Sequence, residues 1–233
     1  MKGFYYGKQH IDDIDVESVS LTLQSDVISQ GPKLKEFENS AAEYCGARYC
    51  VAVSNGTAGL HLACKALGLE KGDIGWTSPL SFVASANCIR YCGAEVDFID
   101  INLNTFNISP ETIKEKFNKA KKENRLPKVL IPVHFAGLSC NMQEIKDIAD
   151  RYGCKIIEDA CQALGGEYDS KKIGSCLYSD ITVFSLHPVK SITTGEGGLV
   201  MTNNGELYEK VKLMRAHGIM RASGNNSGHT KDP

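Results

Sequence analysis

The chain has no apolar run near the roughly 18 residues that a bilayer crossing needs. Its first stretch, MKGFYYGKQHIDDIDVES, lacks the apolar middle of a secretory signal. A cytoplasmic protein with no membrane partner is therefore expected. An excess of charge of either sign is lacking as well: the formal balance is −2 over 233 residues, which removes the electrostatic case for nucleic acid as a partner. Walker A and GxGxxG loops are missing, so nucleotide binding by those routes is unsupported. Six histidines are dispersed with no HExxH spacing, and no metal site is expected. Nine cysteines (Cys45, Cys50, Cys64, Cys88, Cys92, Cys140, Cys154, Cys161 and Cys176) include no CxxC pair. An odd set scattered through apolar segments is not a disulfide framework. It reads instead as small buried hydrophobes in a reducing compartment.

What is present is the make-up of an ordered protein, 42% apolar and 23% charged, long enough for one large domain or one domain and part of a second. Helical spacing at 33–44, 58–67, 81–91, 142–152 and 206–216 alternates with short apolar runs at 49–53, 95–99, 128–133 and 155–157. SPETIKEKFNKAKKE adds a helix with Ser109 as N-cap and Pro110 at its first position. The alternation predicts βαβ units and an α/β fold with a mainly parallel sheet flanked by helices. Runs at 180–185 and 199–202 follow each other without a helix between them, so an antiparallel or mixed pairing enters there. The polar tail RASGNNSGHTKDP reads as mobile.

Four segments are candidates for chemistry. In DITVFSLHPVKSITTGEGGLVM, two β-branched runs flank a loop that presents Lys190. A lysine so placed can form a Schiff base, although a lone loop lysine is more often a solvated charge. SNGTAGL, from Ser54 to Leu60, follows a strand and opens a helix. Gly56 allows close backbone approach, and the free N–H groups of the first turn suit a phosphate; alone, an Asn-Gly turn is usually only a turn. In IIEDACQALGG the strand ends at Asp159, at the sheet edge where open α/β folds place ligands. A protonated pyridine nitrogen would satisfy that carboxylate, with an attraction of roughly 4 kcal/mol at about 4 Å and an effective dielectric near 20. An aspartate capping the next turn explains it as readily. Phe82, in TSPLSFVASAN, could stack on a planar ring, although such a Phe is more often core.

Taken together, SNGTAGLHLACKALGL, TSPLSFVASAN, IIEDACQALGGEY, FSLHPVKSITTGEGGLV and LMRAHGI resemble the sugar aminotransferases of the DegT/DnrJ/StrS family, which are fold-type-I pyridoxal-phosphate (PLP) enzymes. The resemblance implies the PLP-transferase fold type I large domain over 31–220. It also implies an N-terminal segment, 1–30, that contributes to the substrate site. By similarity Lys190 carries the Schiff base and shuttles the proton, and Asp159 pairs with the pyridinium. Phe82 covers one ring face, Gln162 lies near the phenolic oxygen, and Gly56, Thr57 and Ser185 hold the phosphate. Tyr6, Asp26, Val27, Ile28 and Ser29 match positions lining the sugar-nucleotide site, while His187 and Glu196 shape the loop.

The implied reaction moves an amino group from glutamate to the C4 ketone of a UDP-linked 4-keto-6-deoxy-N-acetyl amino sugar of pseudaminic-acid type. A homodimer is implied too, with the site built across its interface. Relatives that dehydrate sugars carry histidine where Lys190 stands. There are two departures. GDIGWTSP replaces the usual apolar strand, Gly75 and Trp76 interrupting it. The expected C-terminal small domain is missing after the tail at 221–233, so a truncated chain is expected. Two other readings remain: a non-catalytic PLP- or nucleotide-sugar-binding fragment of the same fold, and a plain Rossmann-like domain.

Overall fold

The computed structural model describes residues 7–219; Tyr6 and the tail at 221–233 lie outside them. The first element is a helix the sequence reading did not place: α1 (Asp13–Leu23), where the Asp12 carboxylate accepts from the N–H groups of Ile14 and Asp15. In chain order follow α2 (Pro32–Cys45), β1 (Tyr49–Val53), α3 (Gly56–Ala66), β2 (Ile74–Thr77), α4 (Ala84–Tyr91) and β3 (Glu95–Phe98). Next come α5 (Pro110–Lys122), β4 (Val129–Ile131), a single 3-10 turn (Phe135–Gly137), α6 (Met142–Tyr152) and β5 (Lys155–Asp159). The hairpin of β6 (Glu167–Tyr168) and β7 (Lys171–Lys172) precedes β8 (Ile181–Ser185), β9 (Gly198–Thr202) and α7 (Gly205–Arg215).

Seven strands form one sheet in the order β1-β9-β8-β5-β4-β2-β3. From β8 to β3 every pairing is parallel, and β9 runs antiparallel to both β1 and β8. The mainly parallel mixed sheet is thus observed. Its one reversed strand follows from chain length, because the loop between β8 and β9 holds no helix that could carry a parallel crossover. Strand alternation sorts the core into layers. Val129 and Ile131 pack with Leu60 and Ala63 of α3 and Ile89 of α4. Leu130 between them faces the other way, among Trp76, Phe117 of α5 and Ile145 of α6. At the far end of that second face, Phe184, Leu199 and Met201 pack with Ala42 and Cys45 of α2.

Several boundaries differ from the sequence expectation for local reasons. The strand expected at 128–133 stops at Ile131, because Pro132 has no N–H for the ladder. The helix expected from residue 81 starts at Ala84. Before it, the Ser78 hydroxyl accepts from the Leu80 N–H at 3.2 Å and closes a turn. GDIGWTSP forms a strand after all. A Cβ on Gly75 would lie 2.8 Å from Ile89 Cδ1, so glycine lets α4 seat directly on β2. Trp76, 2% exposed, turns to the opposite layer and packs against Phe117 with ring centroids 4.8 Å apart. An apparent break is a close-packing device.

Candidate active site

The ends of β8, β5, β4 and β2 and the turn from β1 into α3 open on one edge of the sheet, around a cavity of about 490 Å³. Its walls bring together Gly56, Thr57, Phe82, Asp159, Gln162, Ser185 and Lys190. Those seven residues come from four separate segments of the chain. Asp26, Val27, Ile28 and Ser29 are exposed just beyond α1 and are not among the walls. Tyr6 lies outside the described residues. Its neighbour Gly7 packs on the lysine loop, where a Cβ would come 3.3 Å from the Val189 carbonyl oxygen.

The start of α3 is built for close approach. Asn55 caps it, its side chain accepting from the Ala58 N–H at 2.8 Å and its carbonyl from the Gly59 N–H at 3.0 Å. The N–H groups of Gly56 and Thr57 have no partner among the described residues. A Cβ on Gly56 would lie 2.9 Å from Cys161 Sγ and 3.1 Å from Ser185 Cβ. The bare glycine therefore leaves a cradle between α3, β8 and the turn after β5. The positive end of an 11-residue helix with two free donors is an anion site.

The lysine loop is held at both ends. The Lys190 N–H donates to the His187 carbonyl at 2.9 Å, and the Ser185 hydroxyl oxygen accepts from the His187 N–H at 3.3 Å. Further along, the Thr193 hydroxyl and the Thr194 N–H both donate to the Leu186 carbonyl, at 2.8 and 3.1 Å. The ITTGEGG stretch thus folds back on β8 and fixes where Lys190 stands. His187 and Glu196 are exposed on the cavity wall.

Asp159 ends β5 and is 5% exposed. Its Oδ1 accepts from the Cys161 N–H at 3.2 Å and its Oδ2 from the Ser85 hydroxyl at 2.5 Å. Its backbone is locked to β4: its N–H donates to Pro132 at 2.9 Å and its carbonyl accepts from His134 at 3.0 Å. Burial, and then the Asp159 carboxylate, push the Cys161 thiol far up, so it stays a neutral filler beside Gly56. The Gln162 side-chain oxygen, Oε1, accepts from the Ala136 N–H at 2.9 Å. That bond steadies a turn in which Ala136 has φ 51° and leaves the Gln162 amide N–H groups for the cavity. Phe82 is 74% exposed at the rim; it is not core.

Sequence reasoning missed two partnerships. Ser85 is a buried hydroxyl in the first turn of α4, and its only sequence signal is a polar residue on the face that meets the sheet. Glu158, beside Asp159, faces the opposite layer. There Oε2 meets His134 Nε2 at 2.8 Å, and Oε1 accepts from the Thr182 hydroxyl at 2.9 Å and from the Ser179 hydroxyl. The Cys140 N–H donates to His134 Nδ1 at 3.1 Å, which places the ring proton on Nε2, towards Glu158. Burial pushes the Glu158 carboxyl up, yet the donors from His134, Ser179 and Thr182 hold it below the ordinary value of 4.5.

A mixed seven-stranded sheet with helices on both faces, its ligand edge lined by a lysine, a buried aspartate and a helix N-terminus, is the large domain of the fold-type-I PLP transferases. Residues 9–231 match the DegT/DnrJ/EryC1/StrS aminotransferase family, and the chain belongs to it. It is 41% identical over 216 residues to the UDP-4-amino-4,6-dideoxy-N-acetyl-beta-L-altrosamine transaminase of Campylobacter jejuni, covering 93% of this chain and 56% of that protein. Helicobacter pylori PseC, an aminotransferase involved in the biosynthesis of pseudoaminic acid, superposes with a TM-score of 0.88. It shares 31% identity over 94% of this chain and 57% of its own. The PLP form of the putative sugar aminotransferase Spr1654 from Streptococcus pneumoniae gives a TM-score of 0.82 at 26% identity, over 92% and 58%. The chain spans just over half the length of these relatives.

Proposed function

We propose that the protein is a PLP-dependent aminotransferase that moves an amino group from glutamate to the C4 ketone of a UDP-linked 4-keto-6-deoxy-N-acetyl amino sugar. The observation that carries this reading is the convergence of Lys190, Asp159 and the uncapped N–H groups of α3 on one cavity. The cradle at Gly56 fits a phosphate, and the donor set fits a phosphorylated pyridine aldehyde. When bound, PLP supplies an electron sink for the carbon that loses its proton. The residues of this chain do the rest. The Gly56 and Thr57 N–H groups and the Ser185 hydroxyl bind the phosphate. Asp159 would hold a positive charge at the ring nitrogen, Phe82 would cover one ring face, and the Gln162 amide would donate to the phenolic oxygen. Lys190 Nζ would hold the aldehyde carbon and, once an incoming amine has displaced it, would be free to move the proton of the substrate carbon.

The sugar nucleotide is inferred from the Campylobacter relative. Tyr6, Asp26, Val27, Ile28 and Ser29 would line its site, and the packing of Gly7 on Val189 supports bringing the N-terminal segment to the cavity rim. A second copy of the chain would complete the site, in keeping with exposed Phe82, Val83 and Ile192 in the segments that form the rim. Nine unpaired thiols suit a reducing cytoplasm. No helix among the described residues is long and apolar enough to cross a membrane.

The test is borohydride reduction of the PLP-loaded protein followed by peptide mass spectrometry. A pyridoxyl phosphate adduct on Lys190 is expected, lost in Lys190→Ala and lost when glutamate is added before reduction. An adduct on another lysine would overturn the assignment. Binding of PLP without any response to glutamate would select the non-catalytic fragment instead.

A further inference from the structure

We propose that Ser85 is a positioning residue: its hydroxyl orients the Asp159 carboxylate towards the cavity and ties it to the turn that carries Phe82. The inference rests on reading the cavity as a PLP site. Ser85 is fully buried in the first turn of α4. Its hydroxyl lies 2.5 Å from Asp159 Oδ2 and 3.2 Å from the Phe82 carbonyl, which also accepts the Ser85 N–H at 3.2 Å. The short contact marks a charge-assisted bond, so the proton serves Asp159 and the Phe82 carbonyl is satisfied by the backbone. The other carboxylate oxygen is held by the Cys161 N–H. The two donors come from different elements, one on α4 and one on the turn after β5, and each holds one oxygen of the carboxylate. Ser85 is not among the cavity walls, so it acts through Asp159. Without the hydroxyl, Oδ2 has no donor among the described residues and the plane is free to turn away from a ring nitrogen.

The test compares two ligands by equilibrium dialysis against the full chain: PLP, and a PLP analogue with carbon in place of the ring nitrogen. Ser85→Ala should weaken PLP binding by on the order of 10-fold, the cost of one hydrogen bond to a charged group. It should change binding of the carbon analogue by less than about 2-fold, since that ligand never engages Asp159. Ser85→Thr, which keeps the hydroxyl, should restore the preference for PLP. Ser85→Cys, nearly isosteric with a weak donor, carries the same comparison should the alanine variant fail to fold. Equal losses for both ligands, or none, would overturn the positioning role while leaving the PLP site standing. Failure of the wild-type chain to bind either ligand would overturn the site reading and this inference with it.

Discussion

Glu158 and Asp159 are adjacent on β5, both buried, and the sheet separates them. Glu158 points into the layer of α5 and α6, where His134, Ser179 and Thr182 account for both of its oxygens. Asp159 points into the layer of α3 and α4, on the cavity floor, with one donor on each oxygen and room beyond them. A buried carboxylate must be matched by donors or cations. The protein meets that demand internally on one side of the strand and leaves it open to a ligand on the other. The difference separates a stabilising carboxylate from a reactive one better than burial does, since both residues are 5% exposed.

Exchanging the roles is the most severe test. Asp159→Ala should cut amino transfer by about 10²–10³-fold, the scale of removing one preorganised electrostatic partner, with a smaller fall in melting temperature than Glu158→Ala in the cofactor-free protein. Glu158→Ala should do the reverse. It strands three donors in the core, and a loss of roughly 3 kcal/mol in stability is expected. For a chain of this size that is a fall of roughly 6–12 °C in Tm, measured by calorimetry, with activity per folded molecule retained. If Glu158→Ala lost activity while keeping its melting temperature, the division between the two faces of β5 would be wrong.

The phosphate cradle allows a finer comparison, between the α3 end of the cavity and the Asp159 end. A methyl group at Gly56 meets Cys161 Sγ and Ser185 Cβ, so Gly56→Ala should weaken inorganic phosphate and PLP binding alike, by about 10-fold. Ser85→Ala, acting at the other end, should leave inorganic phosphate binding untouched. Isothermal titration with inorganic phosphate distinguishes the two. A Gly56→Ala protein that binds phosphate normally would remove the anion site from α3.

Much of this was legible in residue order because the signals are local. Alternating short apolar runs and helical spacing gave the parallel sheet, and the loop without a helix gave the reversed β9. SNGTAGL, EDAC and HPVK mark strand ends, where the backbone alone decides which residues face the ligand edge. The rest depends on contacts between distant residues. Ser85 meets Asp159 across 74 residues and His134 meets Glu158 across 24, with no periodicity to announce either. Gly75 looked like an interruption because the residue that needs its missing Cβ, Ile89, belongs to the next helix. Helix α1 escaped because Ile14, Val16, Val19, Leu21 and Leu23 recur every two or three residues. That spacing gives no helical stripe, and in the structure all five are exposed.

Proton linkage gives the mildest way to sharpen the contrast on β5. The donors around Glu158 hold its carboxyl below the ordinary 4.5 despite burial. A group whose folded value is depressed adds stability that is fully present above its unfolded value and is lost as pH falls through the folded one. Between about pH 4.5 and that lower value, the folded protein resists a proton that the unfolded chain accepts, so stability falls with acid by up to about 1.4 kcal/mol per pH unit from this residue. Glu158→Gln removes the proton uptake while keeping the shape, and its urea midpoints should decline less steeply over that window. Above about pH 6 Glu158 titrates in neither state, so any further divergence between the two proteins comes from His134, whose ring loses its carboxylate partner in the variant. Parallel acid slopes for wild type and variant would show that the ionised form of Glu158 is not favoured by the fold, and the buried pair would lose its part in separating the two faces of the strand.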